Sequence, residues 1–225
     1  MAAKIDKKEL EEPDKLQLFF LSVREFAEKN LTAIYTVTGI FILIILLAGG
    51  WYIYQLNYEA SAWKMNTRIL ESANKIGSPA GDATTIKGYK DLIDQYPRSG
   101  AAVAAYYRLG NLYLGRHETD AAITAYEDFL KKAPSDSDLV TLAYSGLGSC
   151  YDIKKDFNKA IELFENAMKT STGSSFEAMN YDSLARVYEA MNNPVKAVEF
   201  YRKALGKTTD PLMTLYLKRK ISILG

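Results

Sequence analysis

The sequence predicts an all-α chain in which a single N-terminal transmembrane helix leads into a solenoid of paired helices, closed by a C-terminal capping helix. Three observations predict it. Residues 30–58 contain no charged side chain. After them, a pattern of small and aromatic residues recurs three times, at intervals of 38 and 37 residues. Near the end, Asp210 followed by Pro211 reads as a helix start, an oxygen-bearing cap before a proline that needs no amide hydrogen bond.

The tail, residues 1–30, carries Leu16, Phe19, Phe20, Val23 and Phe26 at helical spacing, with Lys15, Arg24, Glu25 and Glu28 largely on other faces. This is a short amphipathic helix. It either lies on a membrane surface or runs straight on into the next element.

Residues 31–57 form the expected membrane span. The stretch 33–54 is almost wholly apolar, and twenty-two residues at about 1.5 Å each give roughly 33 Å, enough for a ~30 Å hydrocarbon core. Trp51, Tyr52, Tyr54 and Tyr58 cluster at its far end, where an interface favours rings with one polar edge. A cleaved signal peptide fits poorly: the apolar core is long, the preceding tail holds seven acids beside six bases, and no small-x-small site stands out. Lys15, Arg24 and Lys29 before the span balance Lys64, Arg68 and Lys75 after it. Adding Lys4, Lys7 and Lys8 favours a cytoplasmic N-terminus.

Residues 58–225 form the repeat domain. One copy of the pattern is Tyr106, Leu109, Gly110, Tyr113, Ala122, Tyr126 and Pro134. The next is Tyr144, Leu147, Gly148, Tyr151, Ala160, Phe164 and Ala167. The last is Tyr181, Leu184, Ala185, Tyr188, Ala197, Tyr201 and Ala204. This is the tetratricopeptide repeat (TPR) signature, so the fold class becomes a TPR-type α-solenoid. The repeats span 103–136, 141–174 and 178–209, with the residues beyond the usual 34 placed in linkers at Ser135 to Asp138 and Ser171 to Ser175. Gly110, Gly148 and Ala185 are small so that the first helix of each pair approaches the second, where Ala122, Ala160 and Ala197 answer them. Tyr106, Tyr144 and Tyr181 fill the wider gaps. Tyr89, Leu92 and Pro97 stand 37 residues ahead of Tyr126, Phe129 and Pro134, marking a degenerate unit at 58–98 with a turn at Ser78 to Gly81. Residues 210–225 cap the stack.

Composition narrows the function. With 28 Lys+Arg against 27 Asp+Glu and a net charge of +1, the chain lacks the basic excess of a nucleic-acid binder. One cysteine, Cys150, and one histidine, His117, cannot form a disulfide or complete a zinc site. No phosphate-binding, dinucleotide or nucleophile-elbow motif occurs, so no catalytic residue, cofactor or metal is expected. His117 reads as a solvated turn residue and Cys150 as a partly buried, inert thiol.

What such a stack offers is its concave face. By repeat register Tyr107, Asn111, Ser145, Ser149, Met179, Asp182 and Arg186 face it. The set is mixed polar and aromatic and suits unfolded or extended polypeptide, though plain solvent exposure accounts for the same residues. Clamps for a terminal carboxylate need lysine, asparagine and arginine; here only Asn111 fits. Exposed helix faces and the Gly49-Gly50 pair are compatible with a homo-oligomer.

Further short motifs carry a second resemblance. Residues 23–30 (Val-Arg-Glu-Phe-Ala-Glu-Lys-Asn) lead into the span, Gly50-Trp51-Tyr52-Ile53-Tyr54 leave it, Ala60-Ser61-Ala62 follow, and Pro211-Leu212-Met213 with Leu217 to Ile221 close the chain. The whole resembles the bacterial ancillary subunit of the Sec translocon. The resemblance implies a single-pass type II protein of the inner (cytoplasmic) membrane, N-terminus cytoplasmic and TPR domain periplasmic. It also implies a chaperone-like role toward emerging secreted or envelope proteins, with Sec translocon subunits and periplasmic chaperones as partners. A TPR scaffold of another envelope complex (division, pilus or cytochrome maturation) is the competing expectation.

Overall fold

The computed structural model describes residues 15–75, 83–134, 138–170 and 174–225. The expected turn at Ser78 to Gly81, the basic residues Lys4, Lys7 and Lys8, and most of both proposed linkers lie outside them. Every regular element described is an α-helix. By its contacts the chain divides between Leu56 and Asn57 into two units.

The first unit contains α1 (Lys15–Lys29) and the start of α2 (Leu31–Lys75). The two helices are separate, interrupted at Asn30, whose side-chain amide donates to the Phe26 carbonyl at 2.9 Å. Apolar side chains of α1, among them Phe19, Phe20 and Phe26, are exposed. So are those of α2 from Val37 through Leu56. The helix is long and apolar enough to cross a membrane, and none of its most apolar stretch is buried against protein.

The second unit is the repeat stack. Residues 57–75 of α2 pair with α3 (Ala83–Gln95). Then come α4 (Gly100–Gly115) with α5 (Thr119–Lys132), α6 (Asp138–Ile153) with α7 (Phe157–Thr170), and α8 (Ser174–Ala190) with α9 (Pro194–Lys207). Last is α10 (Pro211–Leu224), packed on α9. α4, α6 and α8 begin three or four residues ahead of the repeat starts at 103, 141 and 178, and Asp138, at the end of the first proposed linker, opens α6.

Local chemistry sets the boundaries. Ser99 caps α4, its hydroxyl oxygen accepting from the Ala102 amide at 3.0 Å. Asn193 and Asp210 cap α9 and α10 in the same way, each followed by a proline at the first helical position. The turns inside the three pairs are copies of one another. His117, Lys155 and Asn192 adopt φ of 61°, 60° and 56°. In each turn the next residue's amide donates at 2.9 Å to the carbonyl of Tyr113, Tyr151 or Tyr188. This is the Schellman closure, which satisfies end carbonyls by placing one residue in the left-handed region.

The core runs along the stack as overlapping clusters. Ala62 and Ile69 of α2 join Ile86, Tyr89, Leu92, Ala101 and Ala105. Tyr126, Phe129, Ala143 and Leu147 form the next, and Phe164 packs with Leu184 and Val187. Ala122, Ala160 and Ala197 are fully buried, and so is Ala185. A Cβ on Gly110 would lie 2.5 Å from the Tyr126 ring, and one on Gly148 would lie 2.8 Å from the Phe164 ring. The small residues thus stand where an aromatic ring of the second helix abuts the first. Tyr106, Tyr144 and Tyr181 are only half-buried, so they edge the gaps they were expected to fill.

Candidate protein-binding groove

The first helices of the pairs, α4, α6 and α8, succeed one another in direct contact. They form one continuous row, and every groove residue expected from register sits on it.

On α4, Tyr107 is half-buried, its ring 6.1 Å from that of Tyr126 and 5.7 Å from that of Phe129. It belongs as much to the core as to the surface. Asn111, one turn on, is exposed, and its Oδ1 accepts from the Tyr126 hydroxyl at 2.6 Å. Tyr126 therefore joins these two side chains. Burial pushes the phenol well above its ordinary range, so it stays a neutral donor.

On α6, the Ser145 hydroxyl donates to Asn180 Oδ1 of α8 at 2.6 Å and lies 2.9 Å from the Thr141 carbonyl. Ser149 turns back on its own helix, donating to the Ser145 carbonyl at 3.0 Å. Asn180 is fully buried, and among the described residues its Nδ2 has no partner. Sequence register pointed to its neighbour Met179, which is exposed, and missed Asn180, although a polar residue inside an apolar stripe is the signal that would have found it.

On α8, Asp182 Oδ2 lies 3.3 Å from Nε of Arg186. Burial raises the Asp182 carboxyl, against the opposing pull of Arg186 and Lys220. Burial likewise raises Asp152 at the end of α6, opposed by the same Arg186 guanidinium, so Arg186 acts on carboxylates of both α6 and α8. Beyond it, Glu189 accepts from Lys220 of α10 at 2.9 Å and from the Tyr201 hydroxyl at 2.7 Å. Despite the opposing effect of burial, these donors hold Glu189 below the usual carboxylate range. The expected residues thus fall into three local sets: Tyr107 with Asn111, Ser145 with Asn180, and Asp182 with Arg186. Asp152, Glu189 and Lys220 were not anticipated, because the charges they meet come from other helices.

Reaction chemistry finds no support in this arrangement. Cys150 is fully rather than partly buried, and desolvation pushes its thiol to about 11. His117 is an exposed turn residue. Among the described residues no three His, Cys, Asp or Glu side chains come together as a metal site would require.

A row of antiparallel helix pairs with one face of first helices defines a helical-repeat, protein-interaction architecture. The repeats are of the tetratricopeptide type: residues 104–136 match one tetratricopeptide-repeat family model and residues 138–206 another. No curated protein matches the sequence. Solved structures of similar fold include two that share most of this chain's length. "Crystal structure of MamA" is 24% identical, covering 62% of this chain and 74% of that one with a TM-score of 0.52. "Crystal structure of MamA protein" is 20% identical, covering 74% of this chain and 80% of that one with a TM-score of 0.56.

Proposed function

We propose that this chain is a membrane-anchored protein-binding module: α2 holds the TPR stack at a bilayer, and the row α4–α6–α8 engages extended polypeptide. The observation that carries the reading is the exposed, charge-free part of α2, which only lipid or another apolar partner would cover. The mixed surface of Asn111, Met179 and Arg186, exposed along the row, supports polypeptide as the ligand. It offers both apolar area and adaptable hydrogen bonds.

In the finer reading the anchor lies in a bacterial inner membrane, N-terminus cytoplasmic and repeats periplasmic. The protein serves there as a chaperone-like accessory of the Sec translocon, contacting secreted or envelope proteins as they emerge. The resemblance of the flanking motifs supports this. In-cell photocrosslinking from Asn111 and Met179, read by mass spectrometry, tests it. Adducts with translocon subunits and secretory chains are expected. Adducts confined to a division, pilus or cytochrome-maturation complex would replace this reading with that of a scaffold.

A further inference from the structure

The three repeats differ at one place where the second helix of each pair packs on the first. In the last repeat Phe200 of α9 lies between Tyr181 and Tyr188 of α8, stacked on Tyr188 at 5.3 Å and 9° and tilted against Tyr181 at 6.2 Å. Two lysines close over this ring sandwich: Lys203 stands 4.5 Å from the Phe200 centroid and Lys196 4.9 Å from that of Tyr188. In the middle repeat the position of Phe200 is taken by Leu163, which is buried.

In the first repeat the same register gives Tyr106 and Tyr113 on α4, but Ala125 in place of Phe200 and Ala121 in place of Lys196. The missing bulk leaves a cavity of about 400 Å³ above α4, walled by α3 and α5. Its lining includes both tyrosines and Leu109, the counterparts of Tyr181, Tyr188 and Leu184, which pack with Phe200, and it includes Ala125, the counterpart of Phe200 itself. Its volume is in the range of sites that take a substantial side chain or a small ligand.

The rim changes with it. Asp128 stands where the last repeat has Lys203, and Asp94 of α3 where the later ones have Lys131 and Lys169. Both acids line the cavity. Burial raises the Tyr106 phenol, and Asp128 and Asp94 add to the shift, while Lys132 of α5 stands 5.7 Å from the same ring. Lys90 is a basic group on the rim, 5.9 Å from the Tyr113 ring.

We propose that this cavity is a docking pocket for a partner protein segment supplying what the later repeats supply themselves: an aromatic side chain between Tyr106 and Tyr113, with an adjacent basic residue set against Asp94 and Asp128. The ring gains two aromatic neighbours and leaves water. The base gains two carboxylates and the ring faces. The pocket shares α4 with the proposed groove, but neither Tyr107 nor Asn111 lines it, and it does not depend on the groove binding anything.

The test uses the full chain in zwitterionic lipid nanodiscs, with empty discs as blank. The probe is a fluorescein-labelled Gly/Ser peptide holding one Phe flanked by Arg. Anisotropy is expected to show binding that weakens about tenfold or more when the peptide's Phe becomes Ala, the scale of a pocket-filling anchor. Ala125→Phe, which copies the last repeat, is expected to weaken binding as much. Asp94→Asn with Asp128→Asn is expected to abolish the preference for Arg over Glu in the peptide. If Ala125→Phe loses its cooperative unfolding transition, Ala125→Leu, which copies the buried Leu163, serves in its place. Equal binding of the Phe and Ala peptides, or undiminished binding by the filled variant, would overturn the proposal.

Discussion

The ring of Tyr126 lies between two glycines of successive helices: a Cβ on Gly110 of α4 or on Gly146 of α6 would stand 2.5 Å from it. One side chain on α5 thereby sets the approach of α5 to its own partner and to the next repeat. Its hydroxyl is spent on Asn111, so the ring is held at its tip as well as against both glycines.

Gly110→Ala and Gly146→Ala are each expected to destabilise the stack by about 1–3 kcal/mol, since a buried ring between two backbones cannot yield. Helix propensity alone predicts the reverse, a gain of about 1 kcal/mol. Gly206→Ala in α9 separates the two effects. Nothing lies within 4 Å of its added Cβ, so a gain of about 0.5 kcal/mol is expected. Urea midpoints of the three variants give the signs, and stabilisation by Gly110→Ala would refute the packing account.

Lys155 is held at φ 60° in the turn between α6 and α7, a region where an ordinary side chain costs about 1–2 kcal/mol. Lys155→Gly is expected to raise stability by up to about 1 kcal/mol after the entropy of glycine is set against the relief. His117→Gly should follow it, which would assign the only histidine a conformational role. A thermal scan showing either variant destabilised counts against this.

Asp182 and Glu189 should respond oppositely to pH. The folded state raises Asp182 above its ordinary value. Its contribution to stability therefore declines as pH climbs from about 3.8 through the raised value, and the cost persists above it. Asp182→Asn is expected to be more stable than wild type at pH 7, with the gap closing toward pH 4. Glu189 is lowered, so its contribution is present above about 4.5 and is lost as pH falls through the depressed value. Glu189 and Lys220 are about one-third exposed, so Glu189→Gln should cost only about 1 kcal/mol at pH 7. Chemical denaturation in a series from pH 7 down to about pH 3 measures both gaps.

Cys150 should resist alkylation. It is fully buried with its thiol raised to about 11, so almost no thiolate exists at pH 8 and none is reachable. Iodoacetamide at pH 8 is expected to leave the native protein unmodified and to label it fully in urea. Rapid native labelling would place the thiol at the surface.

The sequence by itself determined the helices and their pairing. Charge-free length marked α2, and small residues recurring beside aromatic ones marked where helices touch, because close approach is a steric demand that each repeat must meet locally. Asp210 marked the start of α10 by the same local logic. Tertiary structure alone decided how charges and cavities are shared. Asp152 on α6 feels the charge of Arg186 on α8, and Glu189 of α8 pairs with Lys220 of α10. Register placed Tyr107 at the surface, whereas the rings of α5 draw it half into the core. Ala125 reads in the sequence as one more small helix former, and only the surrounding Tyr106 and Tyr113 turn its missing volume into a pocket. A repeat motif fixes the contacts that every copy shares, while pockets and ion pairs arise where neighbouring copies differ, and that comparison requires the helices to be set side by side.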